Sequence, residues 1–381
     1  MAQVTVSLIK ADVGSIGGHT RPHPLMMEAL KEVLRDGLAK NIVNDFYITR
    51  AGDDMQIIMT HNKGIDNTEV HGLAWNAFIE ASNVAKKLKV YAAGQDLLKD
   101  AFSGNIRGLG PGAAEMTFEE RKSDPLVFFM ADKTAPCAYS VPLLNIFANP
   151  FKTTGLVIDP RMHDGFKFQI FDLIDHKEII LSTPEELNDI LAILGDTTRF
   201  AIKRVFSKNE ELGIAASIST ERLNLIAGKY VGKDDPVCIV RAQSGFPALG
   251  EILQPFMEPI FVPGWMRGSH NGVFYPVSLE ESDPTYFDGP PPISAIGLHV
   301  VNGKLQGLEN PSSEVGEHIP VDYFKFPCWN HIREESMRLN VAIRKQGPIM
   351  PAILPPEEME YTTKPAVLEK LKDRFTKIPQ E

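Results

Sequence analysis

A lysine followed by two aspartates, set between two apolar runs, constrains this chain more than any other feature. The stretch is Gly228-Lys229-Tyr230-Val231-Gly232-Lys233-Asp234-Asp235-Pro236, with Leu223-Asn224-Leu225-Ile226-Ala227 before it and Val237-Cys238-Ile239-Val240 after it. Both flanks read as short buried segments, so the charged cluster lies where core elements end. Gly228 and Gly232 permit tight turns, and Pro236 pushes Asp235 towards an extended conformation that stops a helix from running through the pair. Tyr230 and Lys233 then converge from one loop. Taken alone, the segment reads equally well as a solvated turn.

A second Asp-Asp pair upstream tips the balance. Arg50-Ala51-Gly52-Asp53-Asp54 lies between strand-like runs at 42–49 and 55–60. Adjacent aspartates at strand ends can share one hard cation or bridge two; two solvated carboxylates in an Asx turn are the plain alternative. More acids follow the same placement. A strand at 3–9 empties into Asp12-Val13-Gly14-Ser15-Ile16-Gly17-Gly18-His19, and an apolar run at 125–130 ends in Ala131-Asp132-Lys133-Thr134. Site residues of α/β proteins favour such strand ends.

The chain has 381 residues, 43% of them hydrophobic, and a mean hydropathy of -0.11, as expected of a folded water-soluble protein. Net charge is -10 and pI about 5.6, without the basic stripe of a nucleic-acid binder. Cys137, Cys238 and Cys328 share no CxxC spacing and suit buried free thiols in a reducing compartment. Met1 to Lys10 lacks a signal-peptide pattern, and the longest apolar runs, such as 126–131, are too short to span a bilayer. The expectation is a cytoplasmic protein with no membrane and no nucleic-acid partner.

Periodicity predicts further strands at 155–158, 166–171, 178–181, 213–216, 237–240 and 293–300, and a strand end turning into a helix at 90–96. It predicts helices at 24–38, 68–88, 139–148, 183–205, 329–345 and 364–375, that at 183–205 being the longest. His71 and Trp75 on the second helix read as packing or surface residues. No repeat or low-complexity linker divides the chain, so residues 1–381 are expected to form one domain of mixed α/β class. Gly-rich loops around Gly104 and at Gly108-Leu109-Gly110-Pro111-Gly112 are phosphate-compatible, and Arg267 is a candidate phosphate clamp.

Asp12, His19, Asp53, Asp54, Gln95, Asp132, Asp234 and Asp235 all sit at strand ends or in Gly-bearing loops, enough hard ligands for several magnesium ions. The motifs already quoted, with Gly94-Gln95-Asp96, Phe287-Asp288-Gly289-Pro290-Pro291 and Glu358-Met359-Glu360-Tyr361-Thr362, occur in one order from end to end. In this the chain resembles the archaeal-type bifunctional fructose-1,6-bisphosphate aldolase/phosphatases. The resemblance implies a four-layer α-β-β-α sandwich assembled as a homo-octamer. It implies condensation of dihydroxyacetone phosphate with glyceraldehyde 3-phosphate, then hydrolysis of the 1-phosphate of the resulting fructose 1,6-bisphosphate. Lys233 would form the Schiff base and Tyr230 carry the aldol proton. Asp12, His19, Asp53, Asp54, Gln95, Asp132, Lys233, Asp234 and Asp235 would hold magnesium. His19, Tyr91 (by way of a neighbouring subunit), Gly104, Lys133, Gln243, Arg267 and Asp288 would contact substrate. One departure is Pro348-Ile349, where the family pattern leads one to expect a substrate-contacting tyrosine.

The rival classes make different demands. A polymerase or nuclease, suggested by Gly52-Asp53-Asp54, would need a basic groove. A metal-only sugar phosphatase would need the carboxylates but neither Tyr230 nor Lys233. A non-catalytic metal-binding assembly protein would leave a lysine among metal ligands unexplained.

Overall fold

The computed structural model describes residues 3–97, 110–224, 232–263, 272–283, 290–310, 313–345 and 363–378. The elements run β1 (Gln3–Ala11), α1 (Pro24–Ala39), β2 (Asp45–Ala51), β3 (Asp54–His61), α2 (Thr68–Leu88), β4 (Gly112–Glu119) and β5 (Asp124–Ala131). There follow α3 (Ser140–Ala148), α4 (Gly155–Ile158), β6 (Phe166–Asp172), β7 (Lys177–Ser182), α5 (Leu187–Leu194), β8 (Phe200–Ser207), β9 (Ile214–Ile218), β10 (Glu221–Arg222) and β11 (Val237–Arg241). The last part holds α6 (Leu249–Leu253), β12 (Phe261–Val262), β13 (Gly272–Val273), β14 (Tyr275–Pro276), β15 (Pro292–Val301), β16 (Lys304–Gln306), β17 (Val321–Asp322), α7 (Asn330–Arg344), α8 (Lys364–Leu371) and β18 (Thr376–Lys377).

The strands form two main sheets. The first has the order β10-β4-β1-β3-β2; the second runs β14-β15-β5-β11-β9-β8-β6-β7-β18, with β16 and β17 pairing onto β15. Among the described strands only β14 and β15 pair in parallel. The class is mixed α/β, as the sequence suggests, and apart from that one pair the described sheets are antiparallel.

Strand alternation assigns each face to a different apolar cluster. On β1, Val4, Val6 and Leu8 pack with Leu126, Phe128 and Met130 of β5 and with Val237 and Ile239 of β11, one stripe from each sheet. Ile9, Ala11 and the β3 residues Met55, Ile57 and Met59 pack with Leu30 and Leu34 of α1 and Ala74, Ala77, Phe78 and Ala81 of α2. In the second sheet the opposite face of β5 and β11 (Val127, Phe129, Cys238, Val240) packs with Leu143 and Ile146 of α3 and Ile190 and Ile193 of α5. β1 and β3 are buried on both faces, yet each carries buried polar side chains, Thr5, Ser7 and Lys10 on β1 and Gln56, Thr60 and His61 on β3.

Several expectations fail. The span 183–205 is not one helix: α5 ends at Leu194, the chain turns through Gly195, Asp196 and Thr197, and β8 begins at Phe200. Its Ile202 and Val205 are β-branched and buried, and β-branched side chains favour a strand. Among the described residues the longest helix is α2, with 21 residues, capped by Asn67, whose side chain accepts from the N–H groups of Glu69 and Val70. Residues 155–158 form the short helix α4 rather than a strand. The segment read as a strand end at 90–96 is a turn closed by a short 3-10 segment at Gln95–Leu97. The sequence reading also missed β4, hidden behind its Gly-rich entry. Cys137 and Cys238 are buried thiols as expected, whereas Cys328 is exposed. No described helix is long and apolar enough to cross a membrane.

Candidate active site

Antiparallel pairing puts the end of β1 beside the start of β3, and the end of β5 beside the start of β11. The acids of both sheets therefore meet at one place: Asp12 after β1, Asp53 in the β2–β3 turn, Asp54 at the start of β3, Asp132 after β5, and Asp234 and Asp235 before β11. All are buried, as is Asp96.

Two groups have ligand atoms lying within 4.8 Å of one another, Asp12 with His19 and Asp53, and Asp54 with Asp132 and Asp235. The turns are locked by backbone bonds. Thr134 donates to Asp235 Oδ1 at 2.8 Å, and the Asp235 N–H returns a bond to the Thr134 carbonyl. Asp235 consequently has a φ of +47°, not the extended conformation that Pro236 alone suggests; aspartate is among the few residues that tolerate this region. Asp12 N–H donates to Asp96 Oδ2 at 2.8 Å, and Asp96 N–H to the Asp12 carbonyl. At Gly52, φ is +59° and a Cβ would fall inside the Asp132 carboxylate, so only glycine fits this close approach.

Three lysines thread the carboxylates. Lys133 Nζ lies 2.8 Å from Asp132 Oδ1 and 3.0 Å from Asp53 Oδ1. Lys233 Nζ lies 3.1 Å from both oxygens of Asp96 and 2.8 Å from Asp234 Oδ1. Gly112 of β4 makes room for it, since a Cβ there would meet Lys233 Cγ at 2.7 Å. Lys10 Nζ, on β1, lies 2.6 Å from Asp54 Oδ2 and 3.8 Å from Asp235 Oδ2. Neither Lys10 nor Asp96 was singled out from the sequence as a site residue. Asp96 was visible in Gly94-Gln95-Asp96, but Lys10 looked like an ordinary strand end.

Burial drives the protonation states. It pushes Asp12 up to about 6, with Asp53 adding to it, and Asp132 up to about 8, against the pull of Lys133. Burial also raises Asp54, which faces Asp235 and Asp132. Asp53 is held down despite burial, by Lys133 and His19. His19, its Nδ1 3.7 Å from Asp12 and 2.7 Å from Asp53, is raised by these two carboxylates to about 10. Burial lowers Lys233, but Asp234 and Asp96 outweigh it and the net shift is upward. Asp54 and Asp132, raised by burial, are the carboxyls that a further cation would help to ionise.

The donor set fits a divalent metal. It consists mainly of carboxylate oxygens, the ligands hard cations prefer, and Asp132 Oδ2 is buried without a hydrogen-bond partner.

Other expected residues fall differently. Tyr91 packs edge-on against His19 of the same chain, ring centroids 4.8 Å apart, and exchanges two backbone bonds with Ser15. Gln95 sits in the turn beside Asp96. Gln243 is exposed beyond the far end of β11, its Oε1 accepting from the Leu249 N–H, so this chain does not bring it to its own carboxylates. Gly104, Tyr230, Arg267, Asp288 and Pro348-Ile349 lie outside the described residues. His71 is a packing residue, buried with Nε2 3.2 Å from Glu115.

The profile of the fructose-1,6-bisphosphatase family matches residues 3–376. A fructose-1,6-bisphosphate aldolase/phosphatase of Ignicoccus hospitalis is 56% identical over 99% of this chain and 94% of its own length. Proteins of the same name from Methanocaldococcus jannaschii (53% identical, 100% of this chain and 93% of theirs) and Moorella thermoacetica (50% identical, 99% and 95%) are similar throughout.

Proposed function

The chain belongs to the fructose-1,6-bisphosphate aldolase/phosphatase family, and we propose that the carboxylate–lysine cluster is the one site of both its reactions. The chain condenses dihydroxyacetone phosphate with glyceraldehyde 3-phosphate, and it hydrolyses fructose 1,6-bisphosphate to fructose 6-phosphate and phosphate. The observation that carries the one-site reading is Lys233, a buried amine held between Asp96 and Asp234 within a set of metal-type ligands. A metal-only phosphatase has no use for an amine there, and the relatives' names give both activities.

In the aldol half, Lys233 gives up its carboxylate partners, loses a proton and attacks the C2 carbonyl of dihydroxyacetone phosphate; loss of water leaves an imine. Tyr230 takes a proton from C3. The resulting enamine carbon attacks the aldehyde carbon of glyceraldehyde 3-phosphate, Tyr230 returns its proton to the new alkoxide, and water releases the product and the free amine. In the hydrolytic half, Lys133 faces the phosphate with its ammonium. Asp12, His19, Asp53, Asp54, Gln95, Asp132, Lys233, Asp234 and Asp235 are the proposed metal-holding set, and its hard oxygens favour magnesium. Such a metal, when bound, polarises a phosphoryl group and lowers the pKa of a water. His19, Tyr91, Gly104, Gln243, Arg267 and Asp288 complete the proposed substrate contacts. Gln243 reaches a substrate only if a neighbouring subunit presents it.

Three apolar clusters, one between the sheets and one on each outer face, support a four-layer α-β-β-α sandwich formed by a single domain over residues 1–381. Exposed Phe151, Val157 and Ile158 support an interface between copies of the chain, and the proposed assembly is the homo-octamer implied by the family resemblance, in a cytoplasmic setting.

Borohydride tests the assignment. Added with dihydroxyacetone phosphate, it should leave one reduced adduct, mapped to Lys233 by peptide mass. An adduct on Lys133 or Lys229, or none, would reject the assigned nucleophile.

A further inference from the structure

Of the three lysines in the cluster, Lys133 and Lys233 have tasks in the proposed chemistry and Lys10 has none. Their settings differ as well. Lys133 lies in a turn with a φ of +63°, and Lys233 lies in the loop before β11. Lys10 instead lies within β1, paired with Gln56 of β3 on one side and Gly112 of β4 on the other. It is 1% exposed. By alternation it continues the Val4, Val6, Leu8 stripe, which faces the second sheet. Its ammonium therefore reaches across the gap between the sheets, 2.6 Å from Asp54 of the first and 3.8 Å from Asp235 just before β11 of the second. Lys10 lies near the end of β1, where the strand is still paired on both sides, and both sheets close over its side chain.

We propose that Lys10 is a resident cation of the carboxylate cluster, fixed between Asp54 and Asp235 and limiting how many divalent ions the cluster takes up and how tightly. The inference rests on the reading that these carboxylates hold divalent metal. Asp54 and Asp235 belong, with Asp132, to a group whose ligand atoms are close enough for one ion. An ammonium already at Asp54 repels that ion and shares its ligand. It also keeps the two buried carboxylates compensated when no metal is present, a state that is costly for unpaired buried charge. Lys10 is thus a positioning residue, acting through Asp54 and Asp235.

The test compares chelator-treated wild type with Lys10→Met, a neutral side chain of similar length, by calorimetric titration with magnesium and by melting temperature. Removing a fixed positive charge this close should tighten the strongest magnesium site by at least about tenfold, or add one bound ion per chain. The metal-free variant should melt below metal-free wild type, and saturating magnesium should narrow the difference. Lys10→Arg, which keeps the charge, should keep the wild-type stoichiometry. Weaker, fewer or unchanged magnesium sites in Lys10→Met would overturn the proposal, since loss of a merely structural lysine weakens a site. An extra ion in Lys10→Arg would overturn it too. If Lys10→Met does not fold without metal, folding in magnesium supports the proposal and failure in both conditions overturns it. Wild type that binds no magnesium would instead remove the metal reading beneath it.

Discussion

Gly52 shows how much of this site depends on single side chains, or on their absence. Its positive φ and the Asp132 carboxylate packed where a Cβ would be combine two constraints at one residue, and its N–H is fixed by the Ser282 carbonyl at 3.0 Å. Gly52→Ala must push Asp132 away from Asp53 and Asp54. Misplacing catalytic groups by about 1 Å costs on the order of 10²-fold in rate, so hydrolysis of fructose 1,6-bisphosphate should fall by at least about that factor at saturating magnesium. Gly64→Ala is the matched control. Its φ is +77° but nothing lies within 4 Å of the added carbon, so it should lose about 1 kcal/mol of stability and keep its rate. Equal rates for the two variants would show that Asp132 tolerates displacement.

At the scale of elements, β2 is tied to the segment after β16 by a histidine between two acids. His318 sets Nε2 3.0 Å from Asp45 and Nδ1 2.9 Å from Glu309. Asp45 also accepts from the Leu305 N–H, and Glu309 accepts from the N–H groups of Gly307 and Ile319. Burial alone would lower the imidazole pKa, but the two carboxylates outweigh it and raise it. A raised folded-state pKa means stability that is fully present below the unfolded value of about 6.5 and is lost as pH rises through the folded value. Denaturant unfolding of His318→Gln should show a deficit of about 1–2 kcal/mol at pH 6, allowing for partial screening, shrinking towards pH 9. A deficit equal at both pH values would mean packing, not charge, is what the histidine supplies. Elements also mark where the sequence stops being legible. The helix at 68–88 was readable because its apolar spacing and Asn67 cap agree. The span 183–205 was not, because only a short turn separates α5 from β8 and their apolar residues together imitate one long helical period. Lys10 was hidden for a different reason: Gln3, Thr5 and Ser7 alternate with Val4, Val6 and Leu8, but Ile9 breaks the alternation, so the lysine after it reads as the polar end of the strand.

For the whole molecule, the carboxylates were legible as strand-end acids, but their convergence was not. It depends on two sheets facing each other through one apolar cluster, so that Asp54 from the first meets Asp132 and Asp235 from the second. Sequence spacing carries no record of which sheet a strand joins, and Gln243, one strand-length beyond Asp235, ends on the far side for the same reason. The central claim is that this meeting point runs carbon–carbon bond formation and phosphate hydrolysis alike. The most direct measurement is phosphate release from dihydroxyacetone phosphate and glyceraldehyde 3-phosphate alone, in magnesium, by wild type and by Lys233→Met. Wild type should release phosphate. Lys233→Met should release none from the two trioses, while hydrolysing supplied fructose 1,6-bisphosphate at a reduced but measurable rate. Release from the trioses by Lys233→Met at the wild-type rate would contradict the account.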